Sequence, residues 1–407
     1  MTDTTTRRSA IFVFVTVVLD SVGIGIIIPV MPDLMQELSG LSVGQAALWG
    51  GYLTFTYAAM QFLFSPTVGN LSDRYGRRPV LLISLVTLGV DYIVMALAQD
   101  LWLLFIGRAV AGIAGATYST ATAYIADVTP KEKRAGAFGL VGAGFGVGFV
   151  LGPVIGGLMG ELGTRAPFYA AAAVAFANFL YGWFVLPESL APENRRPFRW
   201  ARANPFGAVL QISKLQAVAW FVAVSFLYSL SHWVYPAVWS YYTKEAFAWS
   251  NAEIGVSLAA VGVGFAIVQG GLIHIFLKRL GAVRTAYLGF VFNMAGMAGI
   301  AMATQGWMIY ALMPIIALGD IVKPALTGLM SNAVGDDAQG ELQGVLASSQ
   351  GLTTILSPVM MTQVFGAFTA AETTLPYFPG APFLLAAAVM VVAMVPFAIG
   401  LSRAKAA

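Results

Sequence analysis

A chain of 407 residues has the length of two or three soluble domains, but 58% of it is hydrophobic, 10% is charged and its mean hydropathy is +0.78, a balance that excludes soluble domains and describes a membrane chain. The net charge of +3 is too slight to call for a nucleic-acid partner. Cysteine is absent, which removes disulfides and thiolate ligands, and the two histidines, His232 and His274, are too few and too far apart for a metal cluster.

A span needs about 20 mostly apolar residues to cross roughly 30 Å of hydrocarbon. Twelve such segments follow almost end to end, at 10–31, 45–68, 79–99, 101–125, 136–159, 167–187, 215–243, 252–277, 285–303, 306–331, 341–367 and 380–402. Their long, continuous apolar character argues against a transmembrane barrel. The first carries Asp20 at its centre and no small-residue cleavage site follows it, so it reads as a retained span and not as a secretory leader. Arg7, Arg8, the group Arg74, Arg77 and Arg78, then Lys131, Lys133 and Arg134, the stretch Arg195 to Lys214, Lys278, Arg279 and Arg284, and finally Arg403 and Lys405 fall in alternate connections or at the termini. The other connections hold only Arg165 and Lys244. By the positive-inside rule both termini are expected on the cytoplasmic side.

Midway along the chain, "LPESLAPENRRPFRWARANPF" is polar, basic and rich in proline. It reads as a linker at 188–213 between an N-terminal six-helix half, 1–187, and a C-terminal six-helix half, 214–407. If the halves are repeats, "HIFLKRLGAVRTAYL" after the eighth span lies against "GNLSDRYGRRPVLL" after the second, with Arg279 and Gly281 matching and Lys278 in place of Asp73. The fold expected is an all-α membrane protein of twelve transmembrane helices in two pseudo-symmetric halves, an architecture of many secondary transporters with a site between the halves. No GxxxxGK[ST] loop occurs, so a gradient must supply the energy. No arrangement of nucleophile, base and oxyanion donors supports an enzyme.

In "GNLSDRYGRRPVLL", Gly69 and Gly76 suit tight backbone and close helix approach, and Asp73 faces helix N-termini and the guanidinium groups of Arg74 and Arg77. Two readings stand: a charge lock holding one membrane face closed, or a basic turn that fixes topology. Asp127, at the cytoplasmic end of the fourth span, is either an end cap or part of that lock. In the fifth span Gly139, Gly142, Gly144, Gly146, Gly148, Gly152, Gly156 and Gly157 accompany Pro153. They imply close backbone packing and a kink, with Gly152, Pro153 and Gly156 at the interface of two rocking halves in the sharper version.

A charge at the bilayer centre costs at least about 2.5 to 3.5 kcal/mol, so Asp20, Asp91, Arg108, Asp320 and Lys323 each call for a partner or a role. Asp20, desolvated in "TVVLDSVGIGIIIP", suits proton uptake and release, and Arg108 suits a gate on Asp20 or on another carboxylate. Asp320 and Lys323, at i and i+3 beside Pro324, are expected to share a helical face, on which they could form an internal ion pair. In "SLSHWVYPAVWSYY", Trp239 to Tyr242 read as an interfacial belt and the deeper His232 and Trp233 as cavity residues. His274 reads as interfacial.

"GNLSDRYGRRPVLL" resembles the signature turn of the major facilitator superfamily, and "LFIGRAVAGIAGAT", "GAFGLVGAGFGVGFVLGPVIGG" and "LPES" agree in order and spacing. "LDSVGIGIIIPVMP", "TYAAMQFLFSP", "LGVDYIVMALAQDLWLL" and "ALTGLMSNAVGDDAQGELQG" more narrowly resemble the tetracycline/proton antiporters. The resemblance implies a multi-pass protein of the bacterial inner membrane, monomeric, exporting a small amphipathic organic compound in exchange for protons by alternating access. It implicates Asp20, Asp91 and Arg108 in transport, and Tyr57 and Gln61 in contact with substrate. No cofactor is implied; a divalent cation accompanying the substrate stays open. Two positions depart from that family. Asn293 stands where it has an aspartate in the ninth span, and Phe265 where it has a histidine in the eighth, so tetracycline is not a secure substrate. Asp320 is then either a relocated proton carrier, with Lys323 as its switch or as an attractor of anionic substrate, or half of a self-neutralising pair. The competing reading is an uptake symporter for a small, anionic metabolite with Lys323 as counter-charge, which the glycine-rich fifth span opposes. A transporter-like sensor is a third.

Overall fold

The computed structural model describes residues 3–115, 117–130, 133–200, 203–205, 218–335, 338–370 and 374–406. Lys131, part of the expected linker, and Lys214 with the start of the expected seventh span therefore lie outside the described residues. The regular elements among the described residues are all helical, with no strand.

Helix α1 (Asp3–Ile27) gives way to α2 (Met31–Ser39) through a bend of 47°. Pro29 lies in the break and Pro32 in the first turn of α2. A proline lacks the N–H that would continue the ladder and disfavours helix in the residue before it. Helix α3 (Val43–Tyr75) runs to a tight turn, where Gly76 at φ 109 and ψ 160 reverses the chain directly into α4 (Arg77–Leu97). That backbone is open to glycine and strained for other residues. Helix α5 (Leu101–Ala114) starts where the Asp100 carboxylate accepts from Leu103 N at 2.9 Å. It breaks at Gly115 before α6 (Thr117–Val128). Helices α7 (Arg134–Gly160) and α8 (Ala166–Val185) follow.

Beyond the linker come α9 (Ala219–His232), α10 (Val234–Phe247) and α11 (Asn251–Ile267), the last opening into a π turn at Val268–Leu272. Helix α12 (Ile273–Ala301) contains a break at Gly281, with φ 73 and ψ 165. The weak echo between these two turns is thus carried by backbone, since Gly76 and Gly281 both take up left-handed φ. The chain ends with α13 (Gly306–Gly319), α14 (Val322–Ala333), α15 (Gln339–Thr369) and α16 (Ala381–Ala406). Among the described residues nine helices are long and apolar enough to cross a membrane, or ten with the bent pair α1 and α2. One of the nine is the 51-residue stretch from Asn251 to Ala301, about 76 Å at 1.5 Å per residue, twice what one crossing needs. These lengths are consistent with twelve crossings.

The chain forms two compact units, one from 1–40, 56–205 and 250–259, the other from 41–55, 206–249 and 260–407. Each takes in one short stretch that boundaries drawn at the linker assign to the other half. Small residues explain both, because without a hydrophobic drive between helices in lipid, close backbone packing decides association. In the first unit, a β-carbon at Gly157 or Gly255 would collide with Asn251 O or Pro153 O respectively. In the second, β-carbons at Gly44 and Gly51 would collide with Thr369 and Thr362.

The first unit is built on the contact of α1 with α7. A β-carbon at Gly152 would lie 2.7 Å from Val22 O, one at Gly148 2.7 Å from Val18 O, and one at Gly156 would overlap Ile26 O. Not all of the fifth-span glycines share this role: Gly139, Gly142 and Gly146 have nothing within 4 Å of such a carbon, and neither has Gly69. The close approach expected at Gly69 is therefore not made.

In the second unit, Trp239, Tyr241 and Tyr242 are buried, which corrects their reading as an interfacial belt. Tyr242 donates to Ile300 O at 2.6 Å and its ring lies 4.9 Å from that of Phe383. With its hydroxyl satisfied by a carbonyl, the whole ring is available for packing between helices.

Candidate functional site

At the turn between α3 and α4 in the first unit, Arg77 reaches Asp73 Oδ1 at 2.7 Å, Asp127 Oδ2 at 3.1 Å and Ser72 Oγ at 2.9 Å. Two carboxylates from α3 and α6 thereby share one guanidinium from α4. Glu188, just past α8, accepts from the backbone N–H groups of Arg77 at 2.8 Å and Arg78 at 3.3 Å. It caps donors that the first turn of α4 leaves unpaired, where helix polarity favours a negative charge. The Ser189 hydroxyl donates to Asp127 at 3.2 Å, and Arg78 donates to Trp183 O at 2.7 Å. The visible part of the linker is fastened here too: Arg196 N donates to Asp73 O at 3.0 Å, and the Asn70 amide to Arg199 O at 2.7 Å. Of the residues expected in a charge lock, Asp73, Gly76, Arg77 and Asp127 are brought together. Arg74 is exposed and lies over the Tyr75 ring at 5.1 Å. Glu188 was missed as a latch residue, although a carboxylate directly after a proline at a helix end is a capping signal.

Within the apolar part of the first unit, Arg108 donates to Asp91, and the two side chains are 11% and 2% exposed. The guanidinium lies over the rings of Tyr57 at 5.2 Å and Tyr92 at 5.8 Å. Arg108 is thus committed to Asp91 and not to Asp20. The buried Oδ1 of Asp20 has no hydrogen-bond partner among the described residues. Tyr57 lies within electrostatic reach of both Arg108 and Asp20, so the Asp91–Arg108 pair, Asp20 and Tyr57 form one neighbourhood. Gln61 donates to Gly115 O at 2.5 Å, across the break between α5 and α6.

The second unit has a different polar centre. Asp320 caps α13 at φ −69 and ψ −5, and Ile321 follows with ψ −17, both away from the ψ of about −42° of an α-helix. The cause lies four residues on: Pro324 has no N–H for the Asp320 carbonyl, and its ring crowds that carbonyl. Tyr228 donates to Asp320 Oδ1 at 3.1 Å, and Gln269, on the π turn, donates to Oδ2. His232 Nε2 lies 4.0 Å from Oδ1. The imidazole stacks on Tyr228 at 5.3 Å and an 18° interplanar angle, with Tyr235 and Phe265 at 5.2 and 5.9 Å. The ion pair with Lys323 is not formed: Lys323 is exposed, because the break at Asp320 and Ile321 removes the face that a continuous helix would share. Asn293 is fully buried and donates to Gly319 O at 2.7 Å and Gly289 O at 3.1 Å, securing the end of α13. Trp233, half-buried, stands in the break between α9 and α10. Tyr228 and Gln269 were not singled out from sequence. The irregular "VQGG" in an otherwise apolar span was the one signal for Gln269.

No group of three or more His, Cys, Asp or Glu side chains suited to a metal ion occurs among the described residues. The model of the Major Facilitator Superfamily matches residues 13–358. The chain is 41% identical over 379 residues to the class C tetracycline resistance protein of Escherichia coli, covering 93% of this chain and 95% of that one. It is 38% identical to the class G protein of Vibrio anguillarum, covering 90% and 92%. Among solved structures it is similar to a nucleoside transporter, with a TM-score of 0.76, 14% identity and coverage of 97% and 99%. A human organic anion transporter gives 0.67, 19%, 96% and 99%. Helical architecture and family match agree: the chain belongs to the Major Facilitator Superfamily and is a membrane transporter, not an enzyme.

Proposed function

We propose that the chain exports tetracycline-class compounds across the bacterial inner membrane in exchange for protons, by alternating access, with both termini cytoplasmic. The observation that carries this reading is the buried Oδ1 of Asp20, which has no hydrogen-bond partner among the described residues, beside the Asp91–Arg108 pair. A charged carboxylate oxygen buried without a partner is expensive, and a bound proton removes that cost. Asp20 therefore takes a proton from one side and gives it up to the other, while Asp91 holds Arg108 in place. Tyr57 and Gln61 line the substrate side of this neighbourhood. One proton moving down 100 mV yields about 2.3 kcal/mol, enough for a concentration ratio somewhat under a hundredfold for a neutral substrate. A divalent cation, if carried, enters with the substrate.

The similarity to proteins named for tetracycline resistance runs over about nine tenths of the chain, which favours export over uptake of an anionic metabolite. Everted membrane vesicles test the reading. Tetracycline addition to energised vesicles is expected to drive proton efflux together with drug accumulation, and Asp20→Asn to abolish both. Accumulation without proton movement, or an unaffected Asp20→Asn variant, overturns it.

A further inference from the structure

Three backbone irregularities converge on Asp320, and none of them is needed to make a span. Helix α13 ends there because Pro324 removes its next rung. Helix α9 ends at His232 for the same reason, since Pro236 stands four residues beyond it and α10 resumes only at Val234. The π turn of Val268–Leu272 carries Gln269, and such turns insert a residue and redirect the side chains around it. Both members of the His232–Asp320 pair thus occupy the position four before a proline, where the carbonyl has lost its donor and the backbone can yield.

The chemistry of the cluster is that of a group changing its charge. An ionised carboxylate only accepts hydrogen bonds, and Asp320 accepts from Tyr228 on one oxygen and Gln269 on the other. His232 Nε2 at 4.0 Å is too far for a hydrogen bond, and its Nδ1 is buried without a partner among the described residues. Tyr228 and His232 face the carboxylate from α9, Tyr235 lies within electrostatic reach of it from α10, and Lys323 on α14 acts on His232. The π turn and α12 contribute the neutral Gln269 and Asn293. Among the described residues no arginine is paired with Asp320, in contrast to Asp91.

We propose that Asp320 and His232 form a second exchangeable-proton site, housed in the second unit, whose loading moves the proline-broken ends of α9 and α13 together. A proton from water adds to Asp320 Oδ1. The protonated carboxyl then donates a single O–H···N bond to His232 Nε2, which draws the 4.0 Å gap to about 2.8 Å. The same proton returns to water when the pair reopens. Tyr228 and Gln269 hold the carboxylate when the proton is absent. The inference rests on the proton-exchange reading above but not on the identity of the drug.

The test is infrared difference spectroscopy of purified protein between acidic and alkaline buffer, without substrate. A protonated-carboxyl band is expected that Asp320→Asn removes and Asp20→Asn leaves, with a midpoint that moves in His232→Gln. In proteoliposomes, Asp320→Asn is expected to lower gradient-driven tetracycline accumulation about tenfold more than it lowers counterflow, with Asp320→Glu restoring the ratio. A spectrum in which Asp320→Asn removes no band, a midpoint indifferent to His232, or equal loss of both transport modes overturns the proposal. Failure of the wild type to move tetracycline at all, with the infrared band intact, sinks the export reading and leaves this one standing.

Discussion

The first unit neutralises Asp91 with the full charge of Arg108, whereas the second surrounds Asp320 with the neutral donors Tyr228 and Gln269 and keeps His232 at 4.0 Å. The difference separates a fixed charge pair from a site where charge can come and go. A buried ion pair is costly to break from either side, because the remaining charge is left uncompensated. An acid held by neutral donors loses little when it is protonated. In the first unit the pair leaves Asp20 alone, and its buried Oδ1 has no hydrogen-bond partner among the described residues.

Breaking the fixed pair is expected to have the largest effect. Arg108→Ala should destabilise the protein by about 3–5 kcal/mol, visible as a large fall in the melting temperature of purified protein, while Asp320→Asn should leave melting nearly unchanged. Equal losses would erase the distinction between the two centres. Next comes the packing beneath Asp20. Gly156→Ala forces a methyl into Ile26 O and should cost about 1–3 kcal/mol, whereas Gly146→Ala, with open space around it, should stay within about 0.5 kcal/mol. If both are silent in thermal melts, α1 and α7 are not held by backbone contact. The latch should give the smallest change in stability. Arg77→Ala releases two partly exposed carboxylates, for which pairs of this kind contribute about 0.2–1 kcal/mol each, and that loss should shrink in high salt. Asp127→Asn should cost less than Arg77→Ala, because Arg77 keeps Asp73 and Ser72. A reversed order in denaturation curves would place the hub of the latch on α6 instead.

The latch was largely legible before the fold was seen. Asp73, Gly76 and Arg77 lie within five residues, so their chemistry is local, and only Glu188, more than a hundred residues away, escaped. The second centre was not legible in the same way. Tyr228, Gln269 and Asp320 come from three helices and meet only in space. The i and i+3 spacing of Asp320 and Lys323 assumed a helix that Pro324 interrupts. The proline offset could have warned of this, as could the matching offset of Pro236 and His232. Trp239 to Tyr242 were misread because an aromatic run at a helix end looks the same whether lipid headgroups or Phe383 receives it.

Composition and the placement of charges were enough to determine a helical membrane chain, its spans, its glycine turns and the residues whose burial demands an explanation. The cost of placing a carboxylate or guanidinium in hydrocarbon is a property of the residue alone. Only the tertiary structure decided that Arg108 answers Asp91 and leaves Asp20 free, and that Asp320 turns to Tyr228 and Gln269 instead of Lys323. Partnership depends on distance and direction across helices, which falls off within a few ångströms and which no spacing along the chain encodes.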